Sequence, residues 1–242
     1  YRQIRFRPEQ ALWRGDGPFQ VQLFHLGSIQ DTPVQIHLVD GDSLQTVEYD
    51  PALFEFQGDA AHVGDLDRRS VPGFAGFRIH YPLNRPDIHD EVAAFLGASY
   101  FRVLGAGQEY GLSARGIAVD PAIDGPEEFP DFRAYWIERP TDDGLLVFHA
   151  LLDGPSLTGA YRFQLRPGPS TQLLVDARIF ARADVTKLGV APFSSMFLHA
   201  PGLGPIQDDF RPRVHDSDGL QMRTGRGEWI WRPLGNGPGM NV

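Results

Sequence analysis

Between Phe210 and Trp231 the chain reads FRPRVHDSDGLQMRTGRGEWIW. Four consecutive positions carry His215, Asp216, Ser217 and Asp218, closed by Gly219, and Glu228, Trp229 and Trp231 follow soon after. Carboxylates at a turn can pass protons, and imidazole and hydroxyl neighbours can hold a polar ligand. Large flat rings beside them suit the apolar C–H faces of sugars. Residue types and order together point to glycoside chemistry in a cleft. The same residues also fit a solvated turn between two strands, because Asp, Ser and Gly are ordinary turn formers.

The elements that must position this stretch read mostly as strands. Phe19 to His25 (FQVQLFH) alternates, with Phe19, Val21 and Leu23 on one face and Gln20 and Gln22 on the open one. Val34 to Val39 repeats the pattern, and with a loop at Gly27 to Pro33 the two are expected to pair as a hairpin. Asp50 to Phe56 predicts one helical turn, with Pro51 following an Asp cap. His62 to Pro72 is polar and irregular. Phe74 to Tyr81 alternates again, whereas Asp90 to Phe95 fits a strand or a short helix equally. Gly97 to Val103, Tyr110 to Asp120 and Phe132 to Glu138 read as strands. Leu145 to Leu152 and Gly159 to Leu165 form a pair turned through Asp153, Gly154 and Pro155. Gln172 to Ala181 is a strong strand with Leu173, Val175, Ala177 and Ile179 on one face. Gly219 to Arg223 and Glu228 to Arg232 form a last hairpin, and GNGPGMNV is a polar tail. Many short strands of this kind imply an all-β protein, a large antiparallel β-sandwich.

Composition narrows the function classes. The 242 residues suffice for a sizeable core, and 42% are hydrophobic. Glycine (27) and proline (20) favour many turns over long helices. The net charge of −9, with 21 Arg scattered and one Lys, argues against nucleic acid or anionic lipid as a partner. The absence of cysteine excludes disulfides and thiolate chemistry. No apolar run approaches the ~18 residues of a membrane span, so no membrane insertion is expected. Gly105, Gly107 and Gly111 do not form a dinucleotide fingerprint, no HxxxH pair suggests zinc, and no GxSxG suggests a serine nucleophile. Neither a metal nor a cofactor is expected.

Six segments in order carry a resemblance: FAGFRIHYPLN (Phe74 to Asn84), FLGASYFR (Phe95 to Arg102), YGLSARG (Tyr110 to Gly116), EEFPDF (Glu127 to Phe132), KLGVAPFSSMF (Lys187 to Phe197), and HDSDGL with GEWIWRPL (His215 to Leu220, Gly227 to Leu234). Together they resemble the periplasmic glucan biosynthesis proteins G and D, the osmoregulated periplasmic (membrane-derived oligosaccharide) glucan family. The resemblance implies a galactose-mutarotase-like β-sandwich, a periplasmic location, and action on β-1,2-glucan as an inverting endo-glucanase or transglycosylase. The alternative is a non-catalytic glucan-binding scaffold that assists the membrane glucosyltransferase. Family members continue past GEWIWRPL into more strands and an immunoglobulin-like domain. Residues 1–242 are therefore expected to be one glucan-binding or catalytic domain, truncated relative to the family, with upstream residues and a leader missing before Tyr1. Candidate partners are β-1,2-glucan, the inner-membrane glucan glucosyltransferase and a second copy in a homodimer.

Inverting cleavage needs an acid for the leaving oxygen and a base for the attacking water. By resemblance the acid falls on Asp216, with His215 and Ser217 placed to hydrogen-bond its carboxyl group or a sugar hydroxyl. The base falls on Asp131, acting directly or through a chain of waters and sugar hydroxyls, with Glu127, Glu128, Asp120 and Asp124 as rivals. Tyr110, Arg115, Trp136, Trp229 and Trp231 are candidate sugar contacts, while Tyr100 and Phe101 are assigned to the core.

Overall fold

The computed structural model describes residues 3–65, 71, 73–141, 143–200 and 210–235. Residues 236–242 of the expected polar tail, the first two residues, and 66–70 and 72 of the irregular stretch lie outside them. The strands are β1 (Ile4–Phe6), β2 (Gln20–Phe24), β3 (Gln35–Asp40), β4 (Ser43–Thr46), β5 (Phe54–Phe56), β6 (Gly76–Arg85) and β7 (Ile88–Leu96). Then come β8 (Tyr100–Val103), β9 (Ser113–Arg115), β10 (Ile117–Val119), β11 (Asp131–Glu138), β12 (Leu146–Asp153), β13 (Leu157–Arg166) and β14 (Gln172–Ala181). The last six are β15 (Leu188–Val190), β16 (Phe193–Ser194), β17 (Phe197–His199), β18 (Val214–His215), β19 (Gly219–Arg223) and β20 (Trp229–Pro233).

Two six-stranded sheets form the sandwich, in the orders β14-β13-β12-β11-β3-β4 and β16-β9-β8-β7-β6-β2. All pairings within them are antiparallel except β3 beside β11. The all-β sandwich is as expected, but β2 and β3 are not a hairpin. β2 pairs with β6 in one sheet, and β3 pairs with β11 and β4 in the other. The segment between them crosses from one layer to the next through Gly27, at φ 151, and Ser28, at φ 57. Alternation says which face of a strand is buried and nothing about its neighbour. The helical turn at Pro51–Leu53 is present, and Asp50 caps it by accepting from Ala52 N–H at 2.9 Å.

Rings fill the space between the sheets. Phe95 on β7 stacks on Phe77 and Phe101 of its own sheet, with centroids 5.2 Å away in each case. It meets the edges of Tyr135, Phe148 and Phe163 of the other sheet at 5.9, 5.1 and 5.3 Å. Such offset and edge-to-face pairs add attraction beyond area burial. Opposite it, β13 alternates cleanly, turning Leu157, Tyr161, Phe163 and Leu165 inward. Next to Phe95, Gly76 at φ 151 has no room for a side chain, since a Cβ there would lie 2.0 Å from the Phe95 carbonyl oxygen.

Two slips of register bear on the polar face. In β7, Ile79 faces Ala93 but His80 faces Glu91, so Val92 is an extra residue. Val92 and Ala93 are both fully buried in succession, and Glu91 is turned to the outer face alongside Ala94. This break in alternation is why Asp90 to Phe95 fits neither period. A second slip between Phe132 and Ala134 of β11 turns Tyr135 and Ile137 inward and Trp136 outward.

At the far edge, β14 keeps its boundaries but not its expected burial. Leu174, Val175 and Phe180 are exposed, and no strand lies beyond β14 in its sheet among the described residues. Leu173, Val175, Ala177 and Ile179 line an open groove of about 670 Å³ with Leu188, Val190 and Phe193.

Near the end of β2, His25 is packed edge-on against Tyr49, Phe54 and Phe56. Its Nδ1 donates to the Leu26 carbonyl, so Nε2 accepts from Tyr49 Oη–H at 2.8 Å. That arrangement holds the neutral ring, and burial pushes the pKa below its ordinary 6.5. Burial also lowers that of His80.

Phe95→Ala should cost about 3–5 kcal/mol of stability, read by urea unfolding, because five ring contacts vanish at once. The lowered histidines set a pH dependence. Their contribution is complete above about 6.5 and is lost as pH falls towards their folded-state pKa values, because the unfolded chain then binds more protons. The melting temperature should therefore fall between about pH 7 and pH 5, and His25→Gln should flatten that slope.

Candidate functional site

The outer face of the β16-β9-β8-β7-β6-β2 sheet is polar, yet much of it is covered. Gln20 and Gln22, expected to face water, are buried. Arg78 on β6 donates from Nη2 to Gln22 Oε1 at 2.8 Å and from Nη1 to Glu91 Oε2 at 3.1 Å. Tyr110 Oη–H donates to Glu91 Oε1 at 2.6 Å. Burial, and then the hydrogen bond to Glu91, pushes the Tyr110 phenol well above its usual range. Arg102 on β8 donates from Nε to Ser113 Oγ at 2.7 Å, with its guanidinium over the Tyr110 ring. His80, whose Nδ1–H donates to the His89 carbonyl at 3.1 Å, stands opposite Glu91, and of these groups Glu91, Arg102, Tyr110 and Ser113 line a cavity.

Asp216 forms part of the wall. It follows β18, and its N–H donates to Met196 O at 2.8 Å while its Oδ2 accepts from Met196 N–H at 2.8 Å. This double tie fixes the carboxyl group against the segment before β17. Asp216, Glu91, Tyr100, Arg102 and Tyr110 line one cavity of about 720 Å³. Asp131 lines an adjoining cavity of about 300 Å³, and Gln30, Leu96 and Tyr100 belong to both walls. Burial pushes the Asp131 carboxyl above its ordinary range; Arg133 opposes this, and Asp31 and Asp153 add to it. A carboxylate so shifted is a stronger base.

The remaining candidates are dispersed. The His215 side chain is 5% exposed, lies edge-on to Phe197, and its Nε2 is 2.6 Å from Asp218 Oδ1. Ser217 Oγ is 3.1 Å from Ser195 Oγ. The partners of both residues are therefore other than the Asp216 carboxyl. Trp136 stacks on His37 at 5.3 Å on the outer face of the other sheet, and the structure does not bring it to Asp216. Trp229 and Trp231 are exposed on the β19–β20 hairpin, with Arg223 over the Trp229 ring. Arg115 is buried, pairs with Glu127 at 2.6 Å, and sits over the rings of Tyr100 and Phe129. Phe101 is in the core as expected, but Tyr100 is not: it points to the outer face like Arg102.

The rival carboxylates are mostly committed. Glu127 holds Arg115, Glu128 accepts from Ser156 N–H at 3.1 Å, and Asp120 accepts from Lys187 N–H at 2.7 Å. Asp124 lies in the exposed turn 121–125. Sequence reading missed Glu91, Arg78, Gln22, Gln30 and Arg102. The one signal for Glu91 was the broken alternation of β7. Among the described residues no group of His, Cys, Asp or Glu is placed to hold a metal ion.

Residues 1–242 match the family model described as "Periplasmic glucan biosynthesis protein, MdoG". The chain belongs to the MdoG family. Among its curated relatives, Glucans biosynthesis protein G of Vibrio cholerae is 50% identical over 242 residues, covering 98% of this chain and 43% of the relative. The Ralstonia nicotianae protein of the same name is 50% identical over 241 residues, 98% of this chain and 47% of that protein. The Pseudomonas aeruginosa one is 49% identical over 244 residues, covering all of this chain and 46% of the relative. The MdoG-family chain thus spans less than half the length of these relatives. None of its described helices is long and apolar enough to cross a membrane.

The buried Arg115–Glu127 pair gives this region a stability signature. Glu127→Gln should lower unfolding free energy by about 2 kcal/mol, measured in urea, since it leaves a buried guanidinium without its counter-charge.

Proposed function

We propose that this chain supplies the β-1,2-glucan cleft of a periplasmic glucan-processing protein, and that the cleft cleaves or transfers glucan with inversion. Asp216 is the acid and Asp131 the base. The observation that supports this most is the pairing of cavities: the two carboxylates line adjoining hollows with a common wall at Gln30, Leu96 and Tyr100. Inversion uses two carboxyl groups about 6.5–9.5 Å apart, with water between base and sugar. Protonated Asp216 gives its proton to the glycosidic oxygen as the C1–O bond breaks. Water adds to C1 from the opposite face, and its proton passes to Asp131, directly or through intervening waters. Burial of Asp131 favours that final transfer. Tyr100 and Tyr110 provide ring surface, and Arg102 provides donors for sugar hydroxyls.

A second reading has its own support. The Oδ2 of Asp216 is already occupied by Met196 N–H, as a purely structural turn would require. On that reading the cleft binds glucan and assists the inner-membrane glucosyltransferase, alone or as a pair of chains, without catalysis.

Incubation of the full-length protein with linear β-1,2-glucan separates the two. Catalysis predicts reducing sugar that first appears as the α-anomer by NMR, with Asp216→Asn slowing release by about 10³-fold or more. Asp131→Asn should slow it by at least about 10²-fold. No release by either selects the scaffold, and equal release by wild type and Asp216→Asn removes Asp216 as the acid.

A further inference from the structure

Glu91 is the one carboxylate in the larger cavity with no part in the chemistry above. Its position is imposed by the slip in β7. With regular alternation from Phe95, residue 91 would point between the sheets. The extra residue at Val92 reverses that and sends Glu91 out to the cavity that Asp216 lines. A bulge costs ladder regularity, and bulges recur where a strand must re-aim a side chain.

The carboxylate is held in place by Arg78 and Tyr110, one on each oxygen, and Arg78 is itself steadied by Gln22. An ionised carboxylate can accept about four hydrogen bonds, so each oxygen retains acceptor capacity. Its side chain is 24% exposed, so that capacity is reachable. A held acceptor, the Arg102 guanidinium in the same wall, and the rings of Tyr100 and Tyr110 match a neutral polyol better than an ion. Its hydroxyls donate to Glu91 and accept from arginine, and its C–H face lies on a ring.

We propose that Glu91 is a sugar-binding residue of the cleft, accepting hydroxyl hydrogens from the glucose unit beside Asp216 and so selecting which sugars enter. This rests on the glucan reading. Arg78 and Tyr110 act through it as positioning residues, fixing its two oxygens before the sugar arrives.

Titration calorimetry with linear β-1,2-gluco-oligosaccharides, in the full-length protein carrying Asp216→Asn to prevent turnover, tests it. Adding Glu91→Gln or Glu91→Asp should raise Kd about 10-fold or more, the scale of one charged hydrogen bond. Thermal melting and circular dichroism report whether the fold persists. Should both Glu91 variants fail to fold, Ala94→Met, which fills the floor beside Glu91, should produce the same loss of affinity. Unchanged Kd in a folded Glu91 variant, or in Ala94→Met, overturns the proposal while leaving the glucan cleft intact. Absence of any glucan binding by the wild type removes both readings together.

Discussion

The packing of rings between the two sheets governs where everything else can go. Phe95 touches aromatic partners on both layers, so β7 cannot rotate or slide without emptying the middle of the sandwich. Val92 and Ala93 are also buried, and three inward residues within four positions cannot be met by strict alternation. The chain resolves the conflict with an extra residue, and Glu91 arrives on the opposite face as a result. β11 does the same just after Asp131. Both slips stand beside carboxylates, so the register of the core and the layout of the polar face are one problem with one solution.

Much of the architecture was legible from residue types. The strand boundaries of β14, the β12–β13 pair and the Asp50 cap follow from alternation and from cap chemistry. Partnering was not legible, and β2 and β3 show why: two strands of identical pattern joined by a short loop can enter different sheets. Nor was the covered polar face. Gln20 and Gln22 read as solvent-facing because alternation distinguishes apolar from polar, not wet from dry. Asp216 and Asp131 stood out through family resemblance, whereas Glu91 sat in a segment whose pattern was broken by the slip that gives it a position. Trp136 read as a sugar platform, but β11 belongs to the other sheet, where the slip turns this ring outward onto His37.

Acidic residues of similar type have been given separate work by their surroundings. Glu127 balances a buried guanidinium, Glu128 receives a turn N–H, and Asp120 ties the start of β15 to the end of β10. Asp131 has no such strong partner among the described residues and is instead partly desolvated. Asp216 has one oxygen committed to a backbone N–H. Burial and hydrogen bonding, more than spacing along the chain, distinguish these carboxylates.

The long outer strand β14 has a colloidal consequence. Among the described residues β14 ends its sheet, and a ten-residue edge displaying Leu174, Val175 and Phe180 is a template on which another extended chain can lay itself down. Asp176 and Arg178 interrupt the apolar run and act as gatekeepers against such stacking. Salt weakens the charges that guard such a strand and leaves its apolar attraction in place.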